Sequence, residues 1–395
     1  EPRIPLGQVG TNTTTLMIAQ PGSYVLMGNV TVTTNSGIFI KVDAGSVTLD
    51  LNGFTVSSTA SPTSGSAIYV GQGPTTIRNG HIRGAVMSYT ATTFTTAGFE
   101  NGIDATYVPN VCVENVTVEA VSGYGISLYG GSGVIRSCRV RDCGTIGLCA
   151  SQVVDSTALH CGGTAIRAST IVPEDNPTGT IANGSASNCT GDSIGGSGIF
   201  ADTAINCYGS SASGIGIEAT NATNCHGRSL TGTRGLSATR TATGCTGEIT
   251  TATCPSGTPF ADAPRGLSAT TAENCTGTIA TATGCAFGLY ASTATNCTGT
   301  IAAGSDSTYY SAGLGADSAT GCRGECPYCP GLGARVATNC TGFSTNSVGL
   351  SADTATNCYG SSINFTGLKA NGTATGCRGS TSGTGSVFAI EAAIA

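Results

Sequence analysis

Between Gly313 and Cys377 one phrase occurs four times: GLGADSATGC, GLGARVATNC, GLSADTATNC and, one residue longer, GLKANGTATGC. Its cysteines are Cys322, Cys340, Cys358 and Cys377, so the steps are 18, 18 and 19 residues. A unit this short, with one Leu, two Ala and one Cys at fixed offsets, cannot enclose a core alone and must stack on copies of itself. The predicted class is all-β, a parallel β-helix or β-solenoid. Chain length and repeat size give about fifteen coils. Such a body grows by adding coils and escapes the usual domain count.

The composition narrows the function classes. With 59 Gly, no Trp and 10% charged residues, the chain is far from an average globular protein. Its mean hydropathy of +0.14 is not that of a disordered chain. The net charge is −6, only Lys41 and Lys369 carry ammonium groups, and the arginines are scattered. A nucleic-acid footprint is therefore missing. No apolar run approaches the ~20 residues of a membrane helix. The opening Glu1-Pro2, without an initiator Met, suits a mature chain whose signal peptide has been removed, so an extracellular or cell-surface location is expected. Nineteen cysteines fit an oxidising compartment, yet most share one repeat position, where a free Cys serves as a small buried hydrophobe.

Taken in order, residues 1–60 read as an N-terminal cap and first coils. TLMIAQPGSYVLMGNVTVTT alternates apolar and polar residues around Pro21-Gly22. Residues 61–180 hold longer, irregular coils, and 181–395 hold short regular ones ending on the apolar strand SVFAIEAAIA. Insertions at 247–264, with Pro255 and Pro259, and at 302–312 are expected to be rim loops. The progression PGSYVL, VTLDLNGFTV, IRNGHIRG resembles the opening of secreted bacterial right-handed parallel β-helix repeat proteins, whose fold is similar to that of pectin lyases. The likeness covers the first ~150 residues by motif and the rest by periodicity. It implies a right-handed helix whose first coil is capped.

Ten cysteines are preceded by Asn or Gly alone: Asn188, Asn206, Asn224, Gly244, Asn274, Asn296, Gly321, Asn339, Asn357 and Gly376. These residue types best tolerate the left-handed αL conformation. The restriction therefore reads as a backbone requirement, one αL bend per coil, with Asn side chains stacking from coil to coil. Asn188, Asn274, Asn296 and Asn339 also sit in glycosylation triplets, but a tightly stacked bend is a poor acceptor. The inward ladder is expected to hold Cys138, Cys161, Cys189, Cys207, Cys225, Cys245, Cys275, Cys297, Cys322, Cys340, Cys358 and Cys377, with Val116 aligned ahead of Cys138 and Cys161. Alternation places Leu350, Ala352, Ala355 and Cys358 inside, and Ser351, Thr354 and Thr356 outside. Disulfides along the ladder need the correct dihedral at every step, so mostly free, stacked thiols are expected.

Several constellations bear on chemistry. Asp317, Arg335 and Asp353 hold one offset in three consecutive coils. Enzymes of similar fold use clustered carboxylates and a basic residue on pectin-like polysaccharides, but a surface charge ladder is the plainer account, and no catalytic residue is assigned. His81, His160 and His226 have no metal-ligand spacing, and neither metal nor cofactor is expected. Cys326-Pro-Tyr-Cys329 has redox-motif spacing and resembles the glutaredoxin dithiol; on the outer loop of a coil, a local disulfide between Cys326 and Cys329 is expected. The glycines read as turn chemistry. Outward pairs Thr241/Thr243, Thr281/Thr283, Thr293/Thr295, Thr354/Thr356 and Thr373/Thr375 are similar to the T-x-T rows of insect antifreeze solenoids, which implies ice binding, although the rows break at Ile205, Asn221, Ser318 and Val336.

The function expected from these readings is a structural, self-assembling subunit of an extracellular filament, sheath or surface layer, whose partner is a further copy of itself joined head to tail. A carbohydrate-binding adhesin or a polysaccharide lyase or hydrolase, with surface glycans as partners, is the main alternative.

Overall fold

The computed structural model describes residues 3–6, 10–12, 15–33, 37–61, 65–85, 88–90, 93–95, 97–169, 184–254, 262–304, 311–383 and 388–394. Residues 247–253 and 302–304 of the expected rim loops are strand instead, and the centre of each loop, with Pro255 and Pro259, lies outside the described residues. The contacts divide the chain into two compact units, Glu1–Gly209 and Ser210–Ala395.

Both units are parallel β-helices. In the first, strands Ile4–Leu6, Gly10–Asn12 and Leu16–Ile18 pair in parallel with Gly22–Leu26, Val30–Val32 and Ile40–Val42. Those pair in turn with Val47–Asp50, Thr55–Ser58 and Ser66–Val70. Each coil thus contributes one strand to each of three sheets, and the stacking already includes Ile4. Thr75–Arg83 is one strand by its bonds but belongs to two sheets, pairing with Val47–Asp50 before Asn79 and with Thr55–Ser58 after it. Inward side chains here are large: Leu49, Leu51, Ile68, Ile77 and Ile103 are fully buried.

In the second unit the interior narrows to single-residue columns. Leu236, Leu267, Leu289, Leu314, Leu332, Leu350 and Leu368 are mutual register partners, all fully buried. Ala319, Ala337, Ala355 and Ala374 form a second column. Burial of Leu350, Ala352, Ala355 and Cys358, with Asp353 and Thr354 exposed, follows the alternation.

Two further columns differ from the sequence reading. Most glycines of this unit are not turn residues. Gly342 lies inside strand Thr341–Ser344, and a Cβ there would overlap the carbonyl oxygen of Gly349 across the interior; Gly299 meets Gly313, and Gly360 meets Gly367, in the same way. The coil is pinched until backbone touches backbone, which only glycine permits. Ser229, Ser344 and Ser362 are buried at the end of their strands. Each hydroxyl accepts the N–H three residues on and donates to a carbonyl of the coil before: Ser362 Oγ lies 3.1 Å from Phe365 N and 2.7 Å from Ser347 O. This closes a tight turn locally. Where the strand runs on instead of turning, as in Thr246–Thr253, Thr276–Thr283 and Thr298–Gly304, the column holds Ile249, Ile279 and Ile301.

Candidate functional site

The bend column is the most regular chemical feature. Asn188, Asn206, Asn224, Asn274, Asn296, Asn339 and Asn357 have φ of 51–54°, and Gly244, Gly321 and Gly376 have φ of 61–64°. The sequence reading missed four members of the column in the first unit: Asn79, Asn115, Ser137 and Asp155, with φ of 58, 53, 52 and 49°. Their signal was a polar residue before Gly80, Val116, Cys138 and Ser156, obscured because three of these are not cysteines. Asn188 Nδ2 donates to Asp155 Oδ1 at 2.9 Å, and Asn206 Nδ2 to Asn188 Oδ1 at 3.2 Å.

The bend explains the thiols behind it. An αL residue turns the chain, so the next N–H leaves the ladder and points inward, where an unpaired donor is costly. Cys245 N finds Cys275 Sγ of the following coil at 3.4 Å, and that sulfur lies 3.3 Å from Ala242 O and 3.2 Å from Glu273 O. Cys322 N and Cys340 Sγ repeat the contact at 3.5 Å, with Ala319 O 3.3 Å away. The column requires a side chain that is small, tolerates an apolar interior, and both accepts and donates. Cys meets all three conditions. Fifteen cysteines form no disulfide, and all but Cys112 and Cys377 of these are buried. Burial pushes the Cys138 and Cys149 thiols up to about 12. Hydrogen bonding to neighbouring thiols, with burial, raises Cys245, Cys297 and Cys358.

Cys161 is a correction. Its register partner is Cys143, and the position following Cys138 is held by Ser156. Ser156 serves as the cysteines do: Cys138 N donates to its Oγ at 3.1 Å, and the hydroxyl donates to Val154 O at 2.7 Å. These coils have a second αL column, Ala120, Asp142 and His160, with φ of 57, 59 and 57°. Cys161 follows that bend, and its next partner is Ser193. Aligning by cysteine merged two different corners of the coil.

Cys326 and Cys329 are disulfide-bonded. Cys326 is the register partner of Ser344, so the bridge closes the turn that serine closes elsewhere. A second disulfide, Cys254–Cys285, was not expected; Cys254 falls in the 247–264 stretch read as an insertion, and Cys285 stands outside the cysteine ladder. His160 Nδ1 lies 2.9 Å from Asp142 Oδ1, and His226 Nε2 lies 3.4 Å from Glu248 Oε2. Among the described residues no group of three His, Cys, Asp or Glu is placed to hold a metal ion.

Asp317, Arg335 and Asp353 are exposed at one corner of successive coils, but among the described residues no ion pair joins them; Asp353 instead accepts from Asn371 Nδ2 at 3.2 Å. The threonine pairs separate onto two faces. Thr223, Thr243, Glu273, Thr295, Thr320, Thr338, Thr356 and Thr375 form one outward column beside Asn221, Thr241, Thr271, Thr293, Ser318, Val336, Thr354 and Thr373. Thr281 and Thr283 lie on another strand, paired with Thr251 and Thr253.

A groove of about 490 Å³ opens on the second unit, lined by Arg323, Glu325, Pro327, Phe343, Ser361 and Ile363 among others. The Arg323 guanidinium lies 4.7 Å from the Phe343 ring centroid, a cation–π contact, and its Nε bonds Glu325 Oε1 at 2.8 Å. Phe343 meets Tyr359 edge-on at 6.0 Å, and Arg378 lies 6.0 Å from Tyr359. The outward positions around the pinching glycine in RGEC, TGFS, YGSS and RGST thus make a strip of rings and guanidinium groups. The sequence reading did not see it, because the residue types differ from coil to coil.

The parallel coils, bend columns and inward ladders define a parallel β-helix repeat protein. Residues 15–161 match the family model described as right handed beta helix region. No curated protein and no solved structure matches the chain.

Proposed function

We propose that the protein is an exported structural β-solenoid, a self-assembling subunit of an extracellular filament, sheath or surface layer. The observation that carries this reading is the strand Ile390–Ile394. It pairs in parallel with Leu368–Thr375, and Phe388 beside it and Ile390 within it are 58% and 37% exposed. A parallel strand with exposed apolar side chains is a surface on which a further strand can stack. Engaged by a different surface of a second copy, it makes a heterologous contact that propagates. Negative-stain microscopy and sedimentation of the chain and of Phe388→Lys/Ile390→Lys test this. Filaments lost in the double variant are expected; a parent chain that stays monomeric at high concentration overturns the reading.

The groove favours a second reading, a carbohydrate-binding adhesin or polysaccharide-degrading enzyme. Aromatic faces beside a guanidinium–carboxylate pair and hydroxyls suit sugar rings and their hydroxyl groups. Glycan-array binding lost in Phe343→Ala, with or without uronate release, would support it; an array without signal removes it.

A further inference from the structure

The fourth copy of the repeated phrase, GLKANGTATGC, carries its extra residue at a definite place. Pairing between Leu350–Thr356 and Leu368–Thr375 runs through Ala352↔Ala370, shifts, and resumes at Thr354↔Thr373. Against Ile390–Ile394 it shifts between Ala370 and Thr373 again. Asn371 and Gly372 together therefore stand opposite the single residue Asp353, a bulge that interrupts the ladder on both sides. Asn371 is exposed, and its Nδ2 reaches Asp353 Oδ1 at 3.2 Å.

We propose that Asn371-Gly372 is a self-modification site, where the side-chain amide is lost and residue 371 becomes aspartate or isoaspartate. The Gly372 amide nitrogen, with no side chain on the following Cα to hinder it, attacks Cγ of Asn371. A new N–Cγ bond forms, and the Cγ–Nδ2 bond breaks. The proton lost from the Gly372 nitrogen leaves with Nδ2 as ammonia, and a five-membered succinimide remains. Water then opens the ring: cleavage at Cγ gives aspartate, and cleavage at the main-chain carbonyl gives isoaspartate, whose backbone is one carbon longer. No oxidant or reductant is needed.

The same dipeptide occurs elsewhere in the described residues, where the backbone is tied. Gly53 N donates to Asn79 O at 2.7 Å, and Asn52 Nδ2 reaches Leu26 O at 3.4 Å. Gly102 N donates to Tyr124 O at 3.0 Å, while Asn101 Oδ1 accepts from Tyr124 N at 3.0 Å. Asn79 is held in the bend column at φ 58°, and a Cβ at Gly80 would overlap Leu51. Ring closure requires the Asn backbone and side chain to rotate toward each other, which the bonded or tightly packed backbone at these three sites resists and the register shift on both sides of Asn371-Gly372 favours. The product matters locally: a carboxylate at 371 faces the carboxylate of Asp353, like charges in adjacent coils, and the isoaspartate form lengthens a segment that already holds one residue too many.

The test incubates the whole folded chain at mildly alkaline pH and follows the tryptic peptide 370–378 by mass spectrometry with an isoaspartate-specific assay. Of the four sites at Asn52, Asn79, Asn101 and Asn371, amide loss is expected at Asn371 alone; in denaturant all four should convert. Retention of the Asn371 amide as long as the other three, or conversion of all four together in the folded chain, overturns the proposal. Asn371→Gln, whose ring closure would need a six-membered transition state, should keep its amide in a fold otherwise unchanged. Loss of the residue 371 amide in that variant at the parent's rate would equally sink the mechanism.

Discussion

Replacing Cys340 tests whether the thiol column exists to satisfy the backbone at the bends. In the parent chain Cys340 is 1% exposed, its sulfur accepts Cys322 N at 3.5 Å and lies 3.3 Å from Ala319 O. Cys340→Ala leaves the Cys322 N–H buried without an acceptor, about 1–3 kcal/mol, and opens a methyl-sized void, about 1 kcal/mol. The loss should be about 2–4 kcal/mol. Cys340→Ser keeps a donor and an acceptor, and Ser156 shows the interior admitting a hydroxyl at this position. Its cost should stay below about 1 kcal/mol, the typical net worth of one hydrogen bond. Urea unfolding measures the totals, and hydrogen exchange at the Cys322 amide isolates the bond itself. That amide should exchange about 5- to 150-fold faster in the Ala variant and near the parent rate in the Ser variant. If Ser is as damaging as Ala, or if Ala leaves the amide equally protected, the column is packing alone and the argument from the bend fails.

Three further outcomes follow from the same geometry. Asn357→Ala keeps a Cβ at φ 53° without the tolerant side chain and should cost about 1–2 kcal/mol, whereas Asn357→Gly should unfold close to the parent's urea midpoint. Gly342→Ala drives a Cβ into the Gly349 carbonyl and should cost about 1–3 kcal/mol or more; a midpoint unchanged from the parent would contradict the pinched interior. Two of the buried thiols make the chain sensitive to base: burial pushes Cys138 and Cys149 up to about 12 when folded, against about 8.5 when unfolded. Since the folded state holds the proton longer, their contribution is complete below the unfolded value and is lost progressively as pH rises towards the folded one. Urea midpoints should fall steadily through that window, and a profile rising through it would reverse the sign.

How much of this was legible depended on whether a position admits one residue type or several. The αL bend tolerates few residues, so Asn and Gly before each cysteine exposed both the coil length and the corner. In the first unit the same corner accepts Ser137 and Asp155, the inward position accepts Val116 and Ser156, and a second bend holds Ala120, Asp142 and His160. Cysteine spacing alone could not separate two corners with such varied occupants, and Cys161 went to the wrong one. The pinching glycines were misread for the opposite reason. Glycine has two uses, positive φ and close approach, and sequence shows the residue without showing which use applies.

The groove marks a different limit. Arg323, Phe343, Tyr359 and Arg378 stand next to the pinching glycine in successive coils, on a surface where packing imposes no residue type. Periodicity detects what a fold repeats, and a binding surface on a solenoid consists of what it does not repeat. Side chains that break the outward pattern while the inward columns stay constant are therefore the places to seek function here. By that criterion the Arg–aromatic strip and the bulge at Asn371-Gly372 both stand out, and the threonine column, which is almost uniform, reads first as strand-forming surface. Lys substitution across Thr320, Thr338 and Thr356 should accordingly leave any self-assembly unchanged, whereas changes in the strip should alter any glycan binding without altering the coil.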